Sequence, residues 1–119
     1  MIATKSIYKD KKEKSDGTRI LVTRYWARGK TKAKDVSDWY RDLAPSKELH
    51  RDWYDGKLTE AAFTKRYLAE MKEPPSREKI KELATQSGQG ETVTLLCVEP
   101  EGEFCHRHLL KNLIEKESA

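Results

Sequence analysis

Leu95-Leu96-Cys97-Val98-Glu99-Pro100-Glu101-Gly102-Glu103-Phe104-Cys105-His106-Arg107 reads as a strand that ends at Glu99, a Pro/Gly turn, and a helix that opens at Cys105-His106-Arg107. The run 93–98 is apolar without alternation, the pattern of a strand buried on both faces of a parallel sheet. In open α/β sheets the ligand crevice lies beyond the C-terminal ends of the strands. A thiol, an imidazole, a guanidinium and a carboxylate fall at one such corner here. It is the first candidate site.

Working outward, residues 2–8 alternate weakly and predict a first strand. Residues 9–14 are a charge run, read as a solvated loop, and Ser15-Asp16-Gly17 is a turn signal. Residues 20–26 predict a second strand, ended by Gly29. Val36, Trp39, Tyr40 and Leu43 then fall at i, i+3, i+4 and i+7, which predicts a helix with Asp35 as its N-cap. Ser46 caps a short helix carrying Leu49 and Trp53 that stops at Gly56. Thr59 opens another, with Phe63, Tyr67 and Met71 on one face. Pro74-Pro75 breaks it, and Ser76 caps the next, with Ile80, Leu83 and Ala84 inward until Gly88 and Gly90. A last helix over 105–116 turns Leu109, Leu110, Leu113 and Ile114 inward. The long helical block between the second strand and Val93 makes those two strands a parallel pair by crossover. The connection between the first two strands leaves a hairpin and an irregular crossover both open. The expected fold is α/β: one domain over 1–119, with a small, mainly parallel sheet of about three strands flanked by helices.

Composition sets bounds. The chain has 119 residues, enough for one core, and 24 basic against 20 acidic residues give a net charge of +4. That permits an anionic partner without demanding one. No signal-peptide pattern or membrane-length apolar run is seen, so the expected location is cytoplasmic with no membrane partner. Cys97 and Cys105 are then expected as reduced thiols. There is no GxGxxG and no P-loop, so neither a dinucleotide nor P-loop chemistry is expected, and no cofactor is implied. Lys30, Lys32 and Lys34 hint at nucleic acid, but Asp35, Asp38 and Asp42 interleave with them and no nucleic-acid fold signature is present.

The run Asp16-Gly17-Thr18-Arg19-Ile20-Leu21-Val22-Thr23-Arg24-Tyr25-Trp26-Ala27-Arg28-Gly29 resembles the strand-to-Asp-Arg-Leu-Trp-Pro-Arg-Gly pattern of the YeaO-like branch of the domain-of-unknown-function 488 family. Lys32, Trp39, Leu43-Ala44-Pro45-Ser46, Leu49, Trp53, Phe63, Arg66-Tyr67 and Glu70 extend the match. Leu95-Leu96-Cys97-Val98-Glu99 with Cys105-His106-Arg107 is similar to the Leu-Cys-x-Glu…Cys-His-Arg signature of the wider family. Thr23 departs from the family's Asp and Ala27 from its Pro, which puts any role for that carboxylate in doubt. The resemblance supports the fold and implies no particular activity.

Two constellations carry chemistry. If residues 20–26 form a strand, Arg24 and Trp26 share one face, and Arg28 follows in the loop. Guanidinium groups beside an indole suit a planar or phosphorylated anion; the alternative is a core Trp26 with structural Arg pairs. At the second motif, Cys105 at a helix N-terminus next to His106 and Arg107 is a candidate nucleophile or redox thiol, with Glu99 as acid or base. The alternative is a buried, inert Cys105 with Arg107 pairing Glu99. Cys97, Cys105, His106 and His108 match no zinc spacing, so no metal is assigned. His106 alone separates Cys105 from Arg107, too little for a phosphatase-type anion loop. His50 reads as a surface residue. Both motifs should meet in one crevice, with Cys105, Glu99 and His106 as catalytic candidates and Arg24, Trp26, Arg28 and Arg107 as ligand-binding candidates. The two functions in view are an enzyme acting on a small anionic or nucleotide-like compound, and a non-catalytic binding module for a phosphorylated ligand or nucleic acid.

Overall fold

A computed structural model describes residues 1–100 and 102–118. Glu101, in the quoted turn, lies outside the described residues. Four strands form one sheet: β1 (Ile2–Ser6), β2 (Thr18–Leu21), β3 (Asp38–Trp39) and β4 (Val93–Cys97). Their order is β1-β4-β2-β3 and every pairing is parallel. The register sets Ile2 and Thr18 on either side of Val93, and Ser6 beside Cys97. The α/β architecture with a parallel sheet is therefore the observed one. The open question about the first connection resolves as a crossover: β1 and β2 run parallel and flank β4.

β4 is buried along its whole length because it sits between β1 and β2 and is covered on both faces. Val93, Leu95 and Cys97 join a core with Ile20, Val22, Leu83, Leu110 and Ile114. Leu96 turns to the other face with Ile7, Leu21, Ala27 and Val36. The period of two along a strand divides them. Among the described residues five α-helices accompany the sheet: α1 (Lys32–Asp35), α2 (Lys47–Tyr54), α3 (Glu60–Glu70), α4 (Pro74–Gly88) and α5 (His106–Ser118). The first core is contributed largely by residues of α2 to α5 and the second by loop residues.

Three local expectations are corrected. The helix predicted through Val36, Trp39, Tyr40 and Leu43 does not form. α1 is a single turn capped by Thr31, whose hydroxyl accepts from Lys34 N, and Asp35 ends it rather than starting it. Asp38–Trp39 then pairs with β2, with Tyr40 N donating to the Leu21 carbonyl at 2.9 Å. The helical spacing misleads because Val36 and Trp39 pack on one face of the sheet while Tyr40 and Leu43 pack on the other. The second strand stops at Leu21, so Arg24 and Trp26 share no strand face. Ser76 lies inside α4, where Pro74 and Pro75 occupy the first turn and need no N–H partner; its hydroxyl donates to the Asp42 carbonyl. Ser46 and Thr59 do cap α2 and α3, through Leu49 N and Ala62 N.

Gly17 offers a test of this packing. Its φ is +63° and an added Cβ would sit 2.2 Å from the Thr92 carbonyl oxygen. Gly90 has φ +91° with nothing within 4 Å. Gly17→Ala should cost ~3 kcal/mol or more and Gly90→Ala only ~1 kcal/mol, since the second suffers dihedral strain alone. Urea unfolding of both variants checks the difference; equal losses would contradict the close approach of 17 to 92.

The run 9–14 is the exposed loop expected, tied to the fold at its end. Glu13 pairs with Lys5 at 2.8 Å, and Lys5 and Arg19 both pair with Asp16, which is nearly buried. Burial works against the Asp16 charge, but bonds from Lys5, Arg19 and the Glu13 backbone outweigh it and hold its carboxyl below the ordinary range.

Candidate active site

The site begins where β2 leaves the sheet. Val22 N still donates to the Leu96 carbonyl, but the Val22 carbonyl faces His106 Nε2 at 2.6 Å. A carbonyl only accepts, so Nε2 carries a proton and Nδ1 is the nitrogen left to face Cys105 Sγ, at 3.8 Å. Cys97 Sγ lies 3.7 Å from Nε2. The ring is also packed against Tyr67, whose buried hydroxyl donates to the Leu43 carbonyl. His106 is thus held in one orientation by the fold.

This pairing separates the two thiols. Cys97 is fully buried in β4, and burial pushes its thiol well above the ordinary value. Cys105 is 4% exposed, just ahead of α5. A bond from Cys97 lowers its thiol, burial opposes, and His106 and the Arg107 backbone lower it further, leaving it far below the ordinary value. Burial lowers His106, but Cys105, the Val22 carbonyl and Glu99 reverse this and its net shift is upward. Both shifts run in the same direction, toward thiolate character at Cys105 and proton retention at His106.

A cavity of about 290 Å³ opens on the pair. Arg24, Trp26, Arg28, Glu99, Cys105 and His106 all line it. The two sequence motifs are therefore brought to one place. Arg107 is not among the lining residues. It is 0% exposed, and its Nη1 and Nη2 donate to the Glu99 and Pro100 carbonyls at 2.8 and 3.1 Å. Its reading as a ligand-binding group is corrected: it anchors the turn that leads to Cys105. It also grips the Glu99 backbone rather than the Glu99 carboxylate. Trp26 has its indole N–H on the Lys30 carbonyl and packs edge-on against Trp39, so it offers a wall rather than a donor. Arg24 Nε donates to the Pro45 carbonyl at 3.0 Å. Arg28 is exposed at the edge of the cavity.

Glu99 Oε1 accepts from the Tyr54 hydroxyl at 2.9 Å. Glu99 Oε2 is buried with no hydrogen-bond partner among the described residues. Burial and the neighbouring Cys105 raise the Glu99 pKa, against the bond from Tyr54. A carboxyl so placed can hold a proton and give it up.

His50 and Tyr54 are among the lining residues that the sequence did not single out. His50, read as a surface residue, is half-buried in the wall, with its ring 5.3 Å from Tyr25 and 4.5 Å from Tyr54. Tyr54 is its i+4 neighbour on α2, and that spacing was the available signal. Burial, then the charges of His106 and Arg24, push His50 below its ordinary value of 6.5. A histidine titration by NMR should place its midpoint below 6.5, and Arg24→Met should move it upward. A midpoint above 6.5 would contradict the burial of His50 and the repulsion from His106 and Arg24.

Cys97, Cys105 and His106 have ligand atoms within 4.8 Å of one another. The two sulfurs face different ring nitrogens, and Nε2 is already bonded to Val22.

The parallel sheet with this corner defines an α/β protein of the DUF488 type. The chain belongs to the DUF488-N3a family, described as the "Active DUF488-N3 subclade", which matches residues 2–118. It is similar to "Uncharacterized protein YeaO" of Escherichia coli K12, 39% identical over 71 residues, covering 59% of this chain and 61% of the relative. It is also similar to "Uncharacterized protein Rv3073c" of Mycobacterium tuberculosis H37Rv, 36% identical over 74 residues, covering 60% and 62%. The chain spans about three fifths of the length of the curated relatives it matches. No solved structure matches it. No helix among the described residues is long and apolar enough to cross a membrane.

Proposed function

We propose that the cavity is the active site of an enzyme acting on a small anionic, nucleotide-like compound. The observation that carries this is the Cys105–His106 pair facing a cavity that also holds Glu99, whose Oε2 is buried and unbonded. Cys105 attacks an electrophilic centre of the substrate as thiolate. His106 holds the thiolate before attack. Glu99 donates its proton to the leaving group and, as carboxylate, takes one from the water that releases the covalent intermediate. Arg28 and Arg24, which both line the cavity, meet the anionic group. Tyr8, Tyr25 and Tyr54 are the large aromatic residues left exposed, and all three lie at this cavity, where a planar ring can stack. The word "Active" in the family description agrees with a catalytic role. A thiol that has to stay reduced suits a reducing compartment such as the cytoplasm.

The competing reading is a binding module for a phosphorylated ligand or nucleic acid, which needs the guanidinium groups and is indifferent to the thiol. Thermal unfolding with chloride, phosphate and a nucleoside monophosphate at matched ionic strength tests the ligand class. At ten times its Kd the nucleotide should raise Tm by roughly 3–6 °C, phosphate by less, and Arg28→Met should remove most of the shift. Equal shifts in all three salts would remove the anion site. Cys105→Ser should leave the nucleotide shift intact while abolishing turnover of any substrate found; unchanged turnover would favour the binding module.

A further inference from the structure

We propose that Cys105 and Cys97 form a peroxide-reducing dithiol: Cys105 takes the oxygen of a hydroperoxide, and Cys97 resolves the product as an intramolecular disulfide. This rests on the Cys105 thiolate of the preceding section and adds a second substrate class and a second cysteine.

The placement of the two sulfurs carries it. Both cysteines are free thiols, and their sulfurs lie within 4.8 Å of each other against one imidazole. The first reactant needs access, and only Cys105 of the two lines the cavity. The resolving thiol needs proximity, and Cys97 is 0% exposed beneath it. Its enclosure leaves Cys105 as its nearest thiol and shields it from direct oxidation. Closing the gap to a bond of about 2.05 Å needs side-chain rotation and a shift of Cys105, which sits at the end of a loop rather than inside a strand.

The chemistry balances with the peroxide as sole oxidant. The Cys105 thiolate attacks the distal oxygen, the O–O bond breaks, and hydroxide or alkoxide leaves; sulfur is oxidised to sulfenic acid. Cys97 then attacks that sulfur. The S–O bond breaks, the Cys97 proton leaves with the hydroxyl as water, and a disulfide remains. A dithiol reductant returns both thiols. With Cys105 neutral as sulfenic acid, the imidazolium of His106 loses its counter-charge, and its Nδ1–H can hydrogen-bond the departing hydroxyl.

The native protein, treated with one equivalent of hydrogen peroxide and then unfolded, is read by thiol titration and intact mass. The expected product has lost two hydrogen atoms, has no titratable thiol, runs as a monomer and recovers both thiols with dithiothreitol. Cys97→Ser should accumulate a dimedone-reactive sulfenic acid at Cys105, and Cys105→Ser should keep its thiol. Sulfinic acid at Cys105 with Cys97 still a thiol would overturn the inference, as would a disulfide between two chains. If Cys105 resists peroxide yet alkylates at neutral pH, this inference falls and the nucleophile stands. If it resists both, both fall. The wild-type measurement needs no variant to fold.

Discussion

Arg107→Met should lower stability by roughly 3 kcal/mol, a large part of the total for a domain of this size. The guanidinium is fully buried and donates to the carbonyls of Glu99 and Pro100. Methionine fills much of the volume and donates nothing, so the Glu99 carbonyl loses its bond from Arg107 and the Pro100 carbonyl keeps the weaker one from Glu103 N. Arg107→Lys retains the charge and loses the fork, and should fall between the two. Urea unfolding reads the loss. Cys105 alkylation reads the second consequence: with the turn released, the thiol should become more accessible even where the chain is still folded. A loss below ~1 kcal/mol with Cys105 unaffected would mean that the turn is held by its own backbone.

His106→Gln should raise the midpoint of Cys105 alkylation by about two units or more toward the free-cysteine value of about 8.5. Glutamine can still donate to the Val22 carbonyl, which His106 meets at 2.6 Å, so the exit of β2 from the sheet is preserved. What it lacks is the positive ring beside Cys105. The sign follows from the shift: a lowered thiol pKa keeps the reactive anion present well below neutral pH, and removal of its cause withdraws that anion first on the acid side. Below the raised midpoint the rate should fall about tenfold per pH unit, while at pH 10 wild type and variant converge. An unmoved midpoint would assign the thiolate to the bond from Cys97 and to the Arg107 backbone.

The β4-to-α5 corner was legible because it is local. An unalternating apolar run can only be a strand covered on both faces, and the Pro/Gly turn leaves one direction for the chain. The same holds for the capping residues Ser46 and Thr59. The stretch from Val36 to Leu43 was not legible, because its apolar residues serve two different faces and their spacing mimics one helical face. Burial of Arg107 was hidden for a related reason: arginine composition signals a surface or an anion, and nothing in one sequence shows that two carbonyls wait for it. His50 and Tyr54 were missed because α2 is amphipathic, and its cavity edge looks like a solvent edge until Glu99 and Tyr25 are brought against it.

The pH dependence of Cys105 in the native wild-type protein tests the central claim most directly. Iodoacetamide labelling, with the modified cysteine located by peptide mass, gives the midpoint of each thiol separately. Cys105 should label first, with a midpoint well below the free-cysteine value of about 8.5, while Cys97 stays protected until the chain unfolds. Cys105 remaining unlabelled across the whole range until unfolding would make the Cys-His-Arg corner a structural element with no reactive thiol.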